Sequence, residues 1–399
     1  MSSRALWGLA GLLVGLLIAA GPAVAQPPPS NLCAGLTGDA YTRCLYAELD
    51  DRLRAVERPP APTSTPRPSG SPSATPRPTP TVSVTVRPSV PPARSGVGAM
   101  VFTDRGNPTN TEKDIAALRE AGATWIRMDI PKGAAGSVRG GRWQPDVGAM
   151  NFYDQAAEWA DAAGLQIALV MADFDNDAAW TDDQHRGFLS QYTEHVASRL
   201  GDDVDLWQVY NEHDGRDYRT FAPTNATPTY LNRLRLTLEA ARTGLRKHSS
   251  APLTTTPFGY PVDDSRYDKW VTFFDGIGSS IDVIGVHAYP ERSPVVISRV
   301  PQYIRQLRAR YGKPVAVLEF GLPEVSGYGP PAEIGKAVVA QISAIMTADP
   351  FCATLYQLRD RGPTGSTDGE QVFGILRNDF TRKPYYGPVS AELKRWRDR

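Results

Sequence analysis

Residues 296–321 read VISRVPQYIRQLRARYGKPVAVLEFG. In 296–311 the apolar side chains recur three and four apart, as on one face of a helix, and Gly312 stands where a left-handed helix end belongs. The run 314–320 is short, apolar and partly β-branched, which suits a strand buried on both faces. A helix followed by a buried strand is half of a βα repeat. How often that unit recurs decides the fold.

It recurs through most of the chain. Strand-like runs fall at 98–102, 124–129, 166–172, 206–211, 253–256, 282–288, 314–320 and 354–358, and helical period fills 111–121, 152–163, 183–200, 228–247, 267–274, 296–311, 333–348 and 389–397. Thr111 with Asp114, and Asn151 with Asp154, are placed like helix starts; Gly122 and Gly164, like Gly312, are placed like left-handed ends. Eight strand and helix pairs match the (β/α)8 TIM barrel, whose chemistry sits on the loops after the strands. The alternative, a doubly wound open sheet, calls for a glycine-rich phosphate turn after the first strand, and Asp104-Arg105-Gly106-Asn107-Pro108 is not one.

Outward from the barrel, toward the N-terminus, the texture changes. Of 35 prolines, 12 lie in the 34 residues from Pro59 to Pro92, a stretch with no acidic residue and with arginines at 67, 77 and 87. Such a segment cannot build a core, and 59–94 reads as an extended linker of at most about 100 Å at ~3.1 Å per residue. Before it, 26–58 is too short to bury a core and carries Cys33 and Cys44, which are expected to pair in an oxidising compartment. Residues 1–25 read as an export signal: Arg4, an apolar run from Ala5 to Ala20, and the small-x-small site Ala23-Val24-Ala25. An uncleaved membrane anchor is the alternative. Both place the 95–399 domain outside the cytoplasm, either extracellular or at the cell surface, where the N-terminal segment and linker could associate with the envelope.

The whole chain has 43 Lys+Arg and 43 Asp+Glu, whereas 95–399 holds 34 against 38. That mild acidic excess argues against nucleic acid and phosphate-rich ligands and suits a neutral partner. The five histidines (185, 195, 213, 248, 287) include no His-x-His pair, so a metal-dependent barrel hydrolase is not expected. Asp173, Asp175 and Asp177 after the third strand lack the glycine and closing glutamate of a calcium loop. Neither a metal nor a cofactor is called for. Asn225-Ala-Thr227 is a formal glycosylation acceptor, and Cys352 reads as a buried free thiol.

In a barrel the side chains to interrogate are those at the carboxyl ends of strands. Glu212 ends the fourth run, Leu206-Trp-Gln-Val-Tyr-Asn-Glu, and Glu319 ends the seventh. A glutamate closing an apolar strand is costly to desolvate, so a role is expected there. Three steps apart around the ring, the two face each other across its mouth. Carboxylates about 5 Å apart are the equipment of a retaining glycosidase, one attacking the anomeric carbon and the other protonating the departing oxygen. Spacing does not say which does which.

Asn211-Glu212, His287-Ala288-Tyr289 and Glu319, in this order and at these strand ends, resemble the signature of glycoside hydrolase clan A, the group that includes the cellulase-like family five and the xylosidase-like family thirty-nine. The resemblance runs from Gly98 to Arg382-Lys-Pro-Tyr-Tyr386. It implies Glu212 as acid/base, Glu319 as nucleophile, and Asn211, Arg127, His287 and Tyr289 as residues that hold the sugar or the nucleophile. Asn211 would bond the hydroxyl beside the reacting carbon, and Arg127 would keep Glu319 ionised. The chain departs from the pattern on strand eight, where Tyr356 stands in place of the usual tryptophan floor. Trp143, Phe174, Trp180, Tyr260 and Tyr328, on loops of the active face, are candidates to stack on sugar rings. The expected function is an exported retaining β-glycosidase of a poly- or oligosaccharide. A transglycosylase using the same glutamates and a non-catalytic stalked sugar binder are the alternatives.

Overall fold

The computed structural model describes residues 95–130, 135–139, 142–171, 181–213, 227–257, 264–290 and 292–399. The expected signal, the Cys33–Cys44 pair and the linker lie outside these, as do Asp173–Asp177, Phe174, Trp180, Asn225 and Tyr260. Among the described residues no helix is long and apolar enough to cross a membrane.

The strands are β1 (Val97–Val101), β2 (Trp125–Ile130), a hairpin of β3 (Gly136–Arg139) and β4 (Arg142–Pro145), then β5 (Gln166–Met171), β6 (Val204–Val209), β7 (Leu253–Thr254), β8 (Ile284–His287), β9 (Val315–Phe320) and β10 (Ala353–Leu355). The helices are α1 (Pro108–Ala121), α2 (Val147–Ala162), α3 (Asp182–Leu200), α4 (Pro228–Leu245), α5 (Asp264–Ile277), α6 (Pro294–Tyr311), α7 (Pro331–Met346) and α8 (Tyr386–Arg397). All eight expected strands and eight expected helices are present. The eight parallel strands follow the order β7-β6-β5-β2-β1-β10-β9-β8. The remaining seam is bridged by the Asp282 and Val283 amides, which donate to the Leu253 carbonyl at 2.7 and 3.2 Å. A nearly closed (β/α)8 barrel results.

Side chains segregate as strand period requires. Trp125, Ala168, Leu206, Val283, Ala316, Leu318 and Cys352 form a cluster of their own inside the ring, while their strand neighbours join the larger core under the helices. Cys352 is, as expected, a free and buried thiol. The interior has little room to spare: a Cβ added at Gly98 would lie 1.7 Å from the Trp125 carbonyl oxygen. Only a residue without a side chain lets β1 and β2 approach there.

The two helix starts marked by Thr111 with Asp114 and by Asn151 with Asp154 differ from expectation. α1 begins at Pro108, with Thr111 buried inside it and its hydroxyl accepting the Asp104 amide at 2.9 Å. α2 begins at Val147, capped by Asp146, whose carboxylate accepts from the Ala149 amide at 2.9 Å. Proline at a first turn and aspartate at a cap start these helices three to five residues earlier than the apolar period alone indicates. The β3–β4 hairpin was also not anticipated.

Candidate active site

Two local departures from regular strand geometry aim the glutamates. On β9, Ala316 and Leu318 point into the barrel and Val315, Val317 and Phe320 point out. The register against both β8 and β10 shifts at this end of the strand. An irregularity of this kind re-aims a side chain, and Glu319 joins Leu318 on the inside. After β6, Tyr210 and Glu212 take φ of 66° and 57°, the left-handed region, although neither is glycine. Such positions cost of order 1–3 kcal/mol and persist where the surroundings impose them. Here the Tyr210 hydroxyl meets His185 Nε2 at 2.7 Å, and Thr256 Oγ1 accepts the Glu212 amide at 3.0 Å.

Glu319 is 7% exposed and held from two sides. Arg127 Nη1 donates to its Oε1 at 2.7 Å and the Tyr289 hydroxyl donates to its Oε2 at 2.7 Å. Burial by itself would raise this carboxyl, but His287, Arg127 and the Tyr289 hydrogen bond together outweigh burial and hold it below the ordinary glutamate value. Tyr289 is pushed well above its ordinary value, first by burial and then by the Glu319 charge, so it stays a phenol and a donor.

The Glu212 side chain is more open, at 29% exposed. His287 Nδ1 lies 2.8 Å from Glu212 Oε1 and 3.4 Å from Glu319 Oε2, between the two carboxylates. One oxygen of each glutamate and a ring nitrogen of His287 all lie within 4.8 Å of one another. Two carboxylates at this separation match the ~5–5.5 Å of retaining enzymes, not the wider gap that leaves room for a water in inverting ones. The same three groups are of a size to ligate a cation. Glu319, however, already has both oxygens engaged, one by a guanidinium that a cation would have to oppose.

Arg127 is itself fixed by a residue that sequence reasoning missed. Gln208, fully buried on β6, accepts from Arg127 Nε at 3.0 Å and donates to Asn211 Oδ1 at 2.8 Å and to Thr256 Oγ1 at 3.2 Å. Arg127 Nη2 completes the ring of contacts with Asn211 Oδ1 at 2.9 Å. A polar side chain inside the run Leu206-Trp-Gln-Val was the available signal, since burying an amide costs energy unless it is fully bonded.

The two glutamates border a cavity of about 670 Å³. Of the expected site residues, Arg127, Asn211, Glu212, Tyr289 and Glu319 line it. His287 does not; it is fully buried and reaches the carboxylates, where sequence reasoning had it position the sugar. Tyr356 lines the cavity, its ring packed edge-on against Phe373 at 5.3 Å and Phe102 at 5.8 Å. Tyr328 lines it too. Trp143 does not: the hairpin carries it onto α3, edge-on to Phe188 and Tyr192 at 5.5 and 5.0 Å, so packing claims it. Asp129, Arg361 and Glu370 also line the cavity and had not been singled out.

The model of glycosyl hydrolase family 53 matches residues 99–329, more than half of the chain. The chain belongs to glycosyl hydrolase family 53. It is an O-glycosyl hydrolase, and the clan A assignment drawn from Asn211-Glu212, His287-Ala288-Tyr289 and Glu319 holds. No curated relative matches by sequence. Solved structures share the fold at low identity. GH5_18 from Streptomyces cattleya, in complex with GlcNAc, is 18% identical with a TM-score of 0.60, over 76% of this chain and 81% of that one. A family 39 glycoside hydrolase from the gut symbiont Bacteroides cellulosilyticus WH2 is also 18% identical, with a TM-score of 0.56 over 76% and 64%. Fpglu1 from Fervidobacterium pennivoraus is 15% identical, with a TM-score of 0.58 over 76% and 96%.

Proposed function

We propose that this family 53 enzyme is an exported retaining β-glycosidase that cleaves a poly- or oligosaccharide with Glu319 as nucleophile and Glu212 as acid/base. The observation that carries the reading is the pair of facing carboxylates in unlike surroundings. Glu319, held ionised by Arg127 and Tyr289, attacks the anomeric carbon, and the bond to the departing oxygen breaks as Glu212 hands that oxygen its proton. Glu212, now a carboxylate, takes a proton from water, whose oxygen displaces Glu319 and restores the enzyme. Two inversions leave the anomeric configuration as it began.

Asn211, bordering the cavity with its amide oxygen committed to Arg127 and Gln208, keeps its amide nitrogen as the group for a sugar hydroxyl. His287 then serves as a positioning residue that orients Glu212. Export rests on Arg4, the apolar run to Ala20 and Ala23-Val24-Ala25, and tethering at the envelope rests on the proline-rich 59–94. Glu319→Gln and Glu212→Gln each test the mechanism. Turnover of an unactivated glycoside is expected to fall by at least about 10²–10⁴ in both, with the thermal transition little changed. Activity surviving either exchange contradicts the assignment.

A further inference from the structure

The cavity presents a glutamate that neither catalytic role uses. Glu370 lies in the short turn Gly369–Gln371, on the connection from β10 to α8, which the family match over 99–329 does not reach. It borders the same cavity as Glu212 and Glu319, exposed to whatever fills it.

The turn is held from several directions. Asp368 accepts the Glu370 amide at 3.1 Å, and the Arg361 and Gly362 amides donate to the Gln371 carbonyl at 3.0 and 3.2 Å. Behind it, Lys383 Nζ is fully buried, 2.9 Å from Asp360 Oδ1, 3.1 Å from Glu324 Oε2 and 3.0 Å from the Val372 carbonyl. Asp360 Oδ1 also accepts the Gly374 amide at 2.8 Å. A buried ion cluster seldom stabilises a fold better than apolar packing would, but it does fix geometry, and this one fixes the strand of loop that carries Glu370. A preorganised polar group of this kind loses little freedom when it binds.

The neighbourhood narrows what Glu370 can bind. Its Oε2 is 3.5 Å from the hydroxyl of Tyr356, which lines the same cavity. Partial desolvation and the charges of Glu319 and Glu212 push its carboxyl above the ordinary value, with Arg361 and Tyr356 opposing them. Asp129, Glu212, Glu319 and Glu370 border the cavity against Arg127 and Arg361, and Arg127 is already committed to Glu319. Hydroxyl donors relieve such a cavity, and a further anion does not.

We propose that Glu370 determines which sugar is accepted: it takes hydroxyl hydrogen bonds from an uncharged glycosyl unit seated over Tyr356 and turns away uronic acids. The inference deepens the glycosidase reading and rests on it. The test compares 2,4-dinitrophenyl β-glycosides of glucose, galactose and mannose with the β-glucuronide and β-galacturonide, in wild type, Glu370→Ala and Glu370→Gln. Wild type favours a hexoside over its uronide by about a hundredfold or more in kcat/KM. Glu370→Ala raises KM for that hexoside about tenfold or more with kcat little changed, as loss of a hydrogen bond to a charged group does when it acts equally before and during reaction. Glu370→Gln, which keeps the shape and removes the charge, lowers the preference over the uronide about tenfold. Unchanged KM and preference in both variants, or a wild type that prefers the uronide, overturns the proposal. An enzyme whose Glu319→Gln form still cleaves the hexoside fails the glycosidase reading instead, whereas one silenced by Glu319→Gln but indifferent to both Glu370 exchanges fails this inference alone.

Discussion

Replacing Tyr289 by phenylalanine removes one oxygen and, with it, one of the two bonds that hold Glu319 ionised. The ring itself stays packed against Phe373 at 5.9 Å, so little else should move. The lost contact is a 2.7 Å hydrogen bond from a buried phenol to a carboxylate that is 7% exposed. Hydrogen bonds to charged groups are worth about 1.5–3 kcal/mol net, and 1.36 kcal/mol is one pKa unit, so the Glu319 carboxyl should rise by roughly one to two units. The nucleophile must be ionised in the free enzyme, and the acid limb of kcat/KM against pH therefore moves upward by that amount in Tyr289→Phe. The linkage has the matching sign. Glu319 has a folded-state pKa below its unfolded one, so its contribution to stability is present above the unfolded value and is lost as pH falls through the folded value. Tyr289→Phe is accordingly less stable than wild type near neutrality, by an amount that shrinks in acid. The assay is a pH profile of kcat/KM with denaturant unfolding at two pH values. An acid limb displaced by less than about 0.3 unit, or a stability loss that persists unchanged in acid, refutes the reasoning.

Gln208→Leu leaves Arg127 Nε and Asn211 short of a partner in the barrel interior; urea unfolding should show a loss of about 2–5 kcal/mol, and kcat/KM should drop although Gln208 touches no substrate. Gly98→Ala sets a methyl group 1.7 Å from the Trp125 carbonyl oxygen. Backbone cannot yield as a side chain does, so a loss of about 3 kcal/mol or more is expected, read as a lowered melting temperature. Lys383→Met strands the buried Asp360 and leaves Glu324 only the Arg377 guanidinium, at 4.0 Å; a cost of about 3–5 kcal/mol is expected in urea, and unaltered stability would show that this cluster does not hold the loop.

The barrel was legible because its strands are buried on both faces. Runs such as Pro314-Val-Ala-Val-Leu and Gln166-Ile-Ala-Leu-Val stand out against amphipathic neighbours without any alternation to decipher. The two glutamates were legible for the complementary reason, as charges closing those runs. Helix starts were not, because period reports the buried face and caps are set by single residues such as Asp146 and Pro108. The β3–β4 hairpin is polar and short, and its one cue, Gly140-Gly141 between Arg139 and Arg142, is a turn signal that apolar counting passes over. Trp143 was misplaced as a consequence. Glu370 carried no cue: it sits on an irregular connection, and what makes it part of the site is the fold of residues 356–383 around Lys383.

The most direct test of the central claim is to trap the enzyme with 2-deoxy-2-fluoro glycosyl fluorides and map the modified peptide by mass spectrometry. One glycosyl group on the Glu319 carboxylate is the predicted result. A label on Glu212, or no covalent adduct together with an inverted anomeric product, would contradict the account.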